Sequence, residues 1–192
     1  MSYETHRDDI PATPQVMITA HGVSHRERRR LVHAGKQLID TTCPLVARVH
    51  EAAAELAAGG YLVIVLGKPD HVEVRGIVED LERYEVIPSE ECVRRFDAER
   101  LGIICQTTLP TCQAEQIRQA IVQNNPQAEI RFIDTICQPT KDRQSAVRRL
   151  VEQVQAVVVV GGRHSNNTAR LAEYCRERGR ATFHIQSADD LQ

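Results

Sequence analysis

The chain of 192 residues reads as an α/β protein: two packed α/β units, with mainly parallel sheets flanked by helices. Three observations predict this. Short apolar runs alternate with segments of helical period almost throughout, the pattern of right-handed crossovers. The apolar residues are mostly Val, Ile, Leu and Ala, with three Phe and no Trp, which suits a parallel sheet buried between helices. Finally, a pentapeptide is written twice, Ile-Asp-Thr-Thr-Cys at 39–43 and Ile-Asp-Thr-Ile-Cys at 133–137. Each copy follows a strand-like run and opens a helix.

Residues 1–14 are polar and contain acids, and read as a loose tail rather than a signal or transit peptide. Residues 16–20 make a short strand, and Ser24 is placed to cap a very basic helix from His25 to about His33. Gly35 stops that helix, and 37–41 is strand-like. Pro44 fits the first helical position, where its missing N–H costs nothing. Leu45, Val49, Ala52 and Leu56 recur at helical spacing until Gly59-Gly60. The continuous apolar run 61–66 predicts a buried strand. A loop over 67–73, a helix to about Arg83 and a strand at 84–88 follow. After a polar connector come a strand at 101–105, a helix from Thr111 with Ile117 and Ile121 inward, and a strand at 129–134. The helix after Cys137 is expected to bury Val147, Leu150, Val151 and Val154. The strand 155–160, the loop 161–167, a helix over 168–178 capped by Gly179, and a strand at 181–185 complete the chain.

Composition narrows the function classes. The net charge of −2, with both signs interspersed, points away from nucleic acid and membrane surfaces. No apolar run approaches the roughly 20 residues of a membrane span, and the cytoplasm is the expected location. Six cysteines without a secretion signal or a Cys-x-x-Cys do not read as a disulfide framework.

In doubly wound sheets, ligands bind outside the carboxyl ends of the strands. Every polar motif falls at such an end. Together the loops offer two thiols (Cys43, Cys137), two imidazoles (His21, His71), one carboxylate (Glu73), and the hydroxyls and amides of Thr107, Thr108, Thr140, Ser165, Asn166 and Asn167. Hydroxyls, amides and imidazoles beside helix N-termini suit a phosphate or diphosphate. A thiol on a strand-to-helix turn is placed to act as a thiolate, a ligand for soft metals or an iron–sulfur cluster. A lone carboxylate among them can relay a proton. Each has a bland reading beside it. Ser165 and Asn167 can merely cap a helix, Glu73 can complement a helix dipole, His71 can be a loop histidine, and a free cysteine is often a small buried hydrophobe.

Taken jointly and in order, the stretches AHGVS (20–24), DTTCPLVARVH (40–50), HVEVRG (71–76), QTTL (106–109), DTICQPTKDRQ (134–144) and SNNTARLAE (165–173) resemble the LytB/IspH family. These are the 4-hydroxy-3-methylbut-2-enyl diphosphate reductases of the non-mevalonate isoprenoid pathway. The resemblance implies reductive dehydroxylation of an allylic isoprenoid diphosphate at a [4Fe–4S] cluster. It also implies an electron donor such as ferredoxin or flavodoxin. Cys43 and Cys137 match the second and third cluster ligands. His21 and His71 match diphosphate-binding histidines, Glu73 the proton-relay acid, and Thr107 the threonine beside the substrate. Ser165, Asn166 and Asn167 match the group that holds the diphosphate, and Thr108 and Thr140 fall on pocket positions.

The family's Gly-Phe-Cys segment, with the first cluster cysteine, does not occur in these residues. Neither does a further diphosphate histidine nor the C-terminal Gly-Ala-Ser-like loop. Cys105 is the candidate third cysteine, because it ends a strand two residues before Thr107. The resemblance implies a reduced version of a three-unit architecture. Residues 44–134 would form the middle unit, and 15–43 with 135–192 a composite. A homodimer is expected to cover the open side. Two other readings stand beside the reductase: thiol redox chemistry at Cys43 or Cys105, and a non-catalytic phosphate- or metal-binding module, with zinc as the alternative metal.

Overall fold

The computed structural model describes residues 12–191. Most of the tail at 1–14 lies outside them. The chain packs as two compact units, one of the residues through Thr107 with Glu115–Thr135, the other of Thr108–Ala114 with Ile136–Gln192.

The first unit holds two parallel sheets. Strands β1 (Gln15–Ile18) and β2 (Gln37–Asp40) pair with each other alone, in the register Gln15↔Gln37 to Ile18↔Asp40. Helix α1 (His25–His33) connects them. Its start is doubly fixed. The Ser24 hydroxyl accepts from Glu27 N at 3.0 Å, and the Asp80 carboxylate accepts from His25 N and Arg26 N at 2.7 and 3.0 Å.

The larger sheet has the order β4 (Tyr84–Ile87), β3 (Leu62–Leu66), β5 (Arg100–Cys105), β6 (Glu129–Phe132), all parallel. Val63, Ile64, Val65 and Leu66 are 0% exposed, as a strand covered on both faces must be. Helix α2 (Pro44–Ala58) starts at Pro44 as expected and buries Val46, Val49, Ala52, Ala53 and Leu56. Leu45 lies to one side of that stripe, and Val46 takes the inward position. Gly60, with φ +76°, makes the left-handed turn that returns the chain to β3. Helix α4 (Thr111–Asn124) lies between β5 and β6 in sequence, with Ile117 and Ile121 fully buried.

Gly102 allows α2 to lie close on β5. A Cβ there would stand 2.8 and 2.9 Å from the methyls of Leu56 and 3.1 Å from its Cβ. Leu56 is itself 0% exposed and has nowhere to retreat. Gly102→Ala should therefore destabilise the protein by about 1–3 kcal/mol, read as a lower urea midpoint.

Helix α3 (Val72–Val78) is shorter and earlier than the sequence suggests. The His71 ring caps it, Nδ1 accepting from Glu73 N at 3.2 Å, so residues assigned to a loop become the first turn. Asp80 then turns toward α1 instead of extending the helix.

The second unit is built on β7 (Ala156–Val160) and β8 (Ala181–Ile185), parallel and paired Ala156↔Ala181 to Val160↔Ile185. Helices α5 (Gln138–Gln153) and α6 (Asn166–Glu177) complete it. Val151, Val157, Val159, Ala172 and Cys175 form its core, with Val147 and Val154 packed at the edge. Leu150 is 42% exposed, contrary to expectation, because two strands can bury only a narrow stripe of α5. β7 alternates for the same reason: Val157 and Val159 face inward, Val158 and Val160 outward.

Residues 15–43 carry β1 and β2. Their strands do not join the larger sheet, yet they pack with residues 44–107, through the Asp80 clasp among others. No helix among the described residues is long and apolar enough to cross a membrane.

Candidate functional site

The order β4-β3-β5-β6 makes β3 and β5 the switch point of the larger sheet, since the chain leaves β3 toward one edge and later returns toward the other. A crevice at the carboxyl ends of such strands is the usual ligand position. The loop after β3 supplies His71 and Glu73, and the loop after β5 supplies Gln106 and Thr107.

These loops lock together. Glu73 is 1% exposed, with one carboxylate oxygen accepting from Thr107 N and the other from Thr107 Oγ1, both at 2.7 Å. Burial pushes the Glu73 carboxyl up, while the two Thr107 bonds and the nearby His21 pull the other way. Glu73 does lie in the first turn of α3, as the helix-dipole reading has it, but it is buried and bonded to Thr107 as well. Gln106 is also buried, and its Oε1 accepts from Lys68 N at 3.1 Å. A Cβ on Gly67 would stand 2.8 Å from Gln106 Cβ, so the two strand ends meet only because position 67 is glycine.

His21 and His71 stand edge to face, with centroids 5.5 Å apart. His71 has its pKa lowered from 6.5 to about 4, by burial first and then by His21 and Lys68. Because Nδ1 accepts from Glu73 N, a neutral His71 carries its proton on Nε2. Between pH 6.5 and about 4, the unfolded chain binds a proton at this position that the folded chain refuses. The stabilisation is complete above pH 6.5 and is lost as pH falls toward 4. Urea midpoints measured across that window should drop less steeply in His71→Gln than in the parent. His50, also pushed down by burial, adds a slope of the same sign.

Cys43 is the half-buried N-cap residue of α2 and makes no capping bond. Its N–H donates to Ala20 O at 3.0 Å, which ties its turn to the one carrying His21. Asp40 braces that turn. Its carboxyl is held at about 2 by the Thr42 hydroxyl and amide first, and then by Arg28. Cys105 is 0% exposed inside β5, where Thr135 Oγ1 bridges its N–H and C=O.

In the second unit, Cys137 is the half-buried N-cap of α5 and shares a 3.0 Å hydrogen bond between its Sγ and Thr140 Oγ1. Thr140 is 1% exposed. Asn166 Nδ2 donates to Thr108 Oγ1 at 3.0 Å, drawing those two predicted residues together. Ser165 is the N-cap of α6, its Oγ accepting from Thr168 N at 3.3 Å, so its capping role is real. Asn167 lies in the first turn, half-buried.

The structure thus brings together His21 with His71, Glu73 with Thr107, Thr108 with Asn166, and Cys137 with Thr140. Among the described residues, no three His, Cys, Asp or Glu side chains gather as a metal site. The donor chemistry nevertheless fits a soft metal centre. Each thiol sits at the start of a long helix, of 15 residues after Cys43 and 16 after Cys137, where backbone N–H groups complement a metal-bound thiolate. Gln106 and the unpartnered, buried Nε2 of His50 were not singled out from sequence. Gln106 was visible as the first polar residue after an apolar strand. His50 was visible only as a polar residue on the apolar stripe of α2.

A cleft of about 890 Å³ lined by Arg95, Phe96, Asn125 and Pro126 lies instead at the amino ends of β5 and β6. Asn125 there is consumed by bonds to Phe96 N, Arg94 O and Ile121 O.

The sequence model of the LytB protein family matches residues 2–192. The 4-hydroxy-3-methylbut-2-enyl diphosphate reductase of Geobacter sulfurreducens is 35% identical over 179 residues, covering 92% of this chain and 62% of that protein. The enzyme of the same name from Aquifex aeolicus is 34% identical, with the same coverage of 92% and 62%. Among solved structures, the E-1-hydroxy-2-methyl-but-2-enyl-4-diphosphate reductase of Plasmodium falciparum superposes with a TM-score of 0.87 at 26% identity, covering 96% of this chain and 60% of that one. A second, (E)-4-hydroxy-3-methyl-but-2-enyl diphosphate reductase, gives a TM-score of 0.63 at 32% identity, covering 93% and 64%. The chain thus spans about 62% of the length of these curated relatives. The two thiol N-caps, the Glu73–Thr107 clasp and the match along the whole chain have one explanation: this protein belongs to the LytB family.

Proposed function

We propose that this chain carries LytB-type chemistry, the reductive removal of the allylic hydroxyl from 4-hydroxy-3-methylbut-2-enyl diphosphate. Two electrons and two protons enter, water leaves, and isopentenyl or dimethylallyl diphosphate results. The observation that carries the reading is the buried Glu73 clasped by Thr107 at the β3/β5 switch point.

Cys43 and Cys137 would each supply a thiolate to a [4Fe–4S] cluster, which when bound would pass electrons to the substrate. Cys105 is the candidate third thiolate; unchanged iron in Cys105→Ser removes it from the set. Glu73 is the proton carrier: as a carboxylate it accepts from the Thr107 hydroxyl at Oε2, and when protonated there it donates to that hydroxyl, which is the relay atom. His71, neutral at pH 7, donates from Nε2 to a phosphate oxygen. His21, Thr108, Thr140, Ser165, Asn166 and Asn167 complete the diphosphate ligands, with Ser165 spending one lone pair as a cap. Ferredoxin or flavodoxin delivers the electrons, and the protein acts in the cytoplasm.

The separateness of the β1–β2 sheet supports a composite of residues 15–43 with 135–192. A homodimer is supported by the exposed apolar face of Val158, Val160 and Phe183, at 47%, 66% and 52%. Light scattering that finds a monomer removes it.

The test of function is anaerobic reconstitution with iron and sulfide, followed by turnover driven by reduced methyl viologen. Product formation supports the reductase. Iron loading without product, or zinc in place of iron, points to a non-catalytic binding module and overturns it.

A further inference from the structure

We propose that the exposed face of α1 is the docking surface for an acidic electron-carrier protein. The identity of the partner rests on the reductase reading. The surface itself rests on charge and exposure.

Helix α1 carries Arg26, Arg28, Arg29 and Arg30 against one acid, Glu27, in a chain of net charge −2. Two of these arginines are occupied. Arg30 grips Glu27 through bonds of 2.8 and 2.9 Å, and Arg28 pairs with Asp40 at 2.7 Å. Arg26 and Arg29 have no ion pair among the described residues, and both are exposed. Positions 25, 26, 29, 32 and 33 repeat at helical spacing, so His25, Arg26, Arg29, Val32 and His33 share one face. All five are exposed, Val32 by 54%. The opposite side is spent on the fold: Leu31 is 4% exposed, and Ser24 and Asp80 already satisfy the first-turn amides. Nothing in the folding of α1 requires the two free arginines.

Their location fits a redox encounter. Arg28 and Thr42 both bond Asp40, and Cys43 N donates to Ala20 O, so α1 rises from the turn beside that of Cys43. The helix is only about 13 Å long, which keeps its whole face near that turn. Transient redox complexes are small and steered by charge, and an exposed apolar residue, Val32, one turn from Arg29 on a face that also carries Arg26 suits such a patch. Basic helices also bind nucleic acid, and that reading makes a different prediction.

The test uses the reconstituted full chain, titrated calorimetrically with an acidic [2Fe–2S] ferredoxin at low and high salt. Arg26→Glu/Arg29→Glu should weaken binding by about tenfold or more and flatten its salt dependence. The milder Arg26→Gln/Arg29→Gln pair should fall between this variant and the parent, which guards against misfolding through repulsion from Asp80. Arg178→Glu, on the exposed end of the second unit, should bind as the parent does. Turnover with methyl viologen should be unchanged in all three variants. Unchanged ferredoxin affinity and salt slope in both double variants would overturn the proposal. So would loss of affinity confined to single-stranded RNA. If the parent shows no viologen-driven turnover but still binds ferredoxin in a salt- and Arg26/Arg29-dependent way, the reductase reading falls and the docking face stands.

Discussion

Glu73→Gln should lower viologen-driven turnover by about 10²–10⁴-fold while leaving the iron content unchanged. The substitution preserves volume in a position that is 1% exposed, so no cavity opens. The new amide oxygen can still accept from Thr107 N, and the amide nitrogen can donate to Thr107 Oγ1, reversing that one bond. What disappears is the exchangeable proton. A separate stability readout distinguishes a proton carrier from a structural clasp. Burial raises the Glu73 pKa above its ordinary 4.5, so the folded chain binds a proton that the unfolded chain has released. Stability from this group is full below pH 4.5 and declines as pH rises through the raised value. Glu73→Gln should lack that decline. A variant that keeps its turnover would remove Glu73 from the proton path, whatever its melting behaviour.

Cys43→Ser and Cys137→Ser should each lose most of the reconstituted iron and, with it, all turnover. Serine keeps the N-cap geometry and is a better capping residue than cysteine, so neither helix start should suffer. Thr140 Oγ1, 3.0 Å from Cys137 Sγ, can pair with a hydroxyl as readily as with a thiol. The loss would therefore report ligand softness rather than unfolding. Colorimetric iron counting with unchanged circular dichroism is the measurement. Full iron in either variant would remove that cysteine from the cluster. The exposed Cys92 and Cys112 serve as controls, and their serine variants should keep their iron.

Much of the scaffold could be read from local pattern alone. α1 and β8 occupy His25–His33 and Ala181–Ile185, the bounds expected from a serine cap, a glycine stop and an apolar run. The start of α2 at Pro44 follows from proline's missing N–H, and its end at Gly59-Gly60 from the left-handed turn. Such signals lie within a few residues of the element they control, so a linear reading finds them. The positions of the candidate site residues were legible for the same reason: they lie in the loops that follow parallel strands or in the first turn of the helices those loops open.

Other features depend on partners far along the chain, and no local pattern carries them. The early start of α3 comes from the His71 ring folding back on Glu73 N, and its early end from Asp80 reaching α1, 55 residues away, at 2.7 Å. Glu73, a first-turn acid of α3, is also buried because β3 and β5 are neighbours, which sets Thr107 against it across 34 residues. Leu150 is exposed because the second unit has only the two strands β7 and β8 to cover α5. Sequence alone therefore determined the order of helices and strands and most of their starts and stops, because propensity, capping and periodicity act over a few residues. Tertiary structure alone decided the upward shift of the Glu73 pKa and the downward shift of that of His71, the bracing of the Cys43 turn by Asp40 and Arg28, and the release of Arg26 and Arg29 to solvent. Burial and charge pairing act through space, between residues that the order of the chain keeps apart.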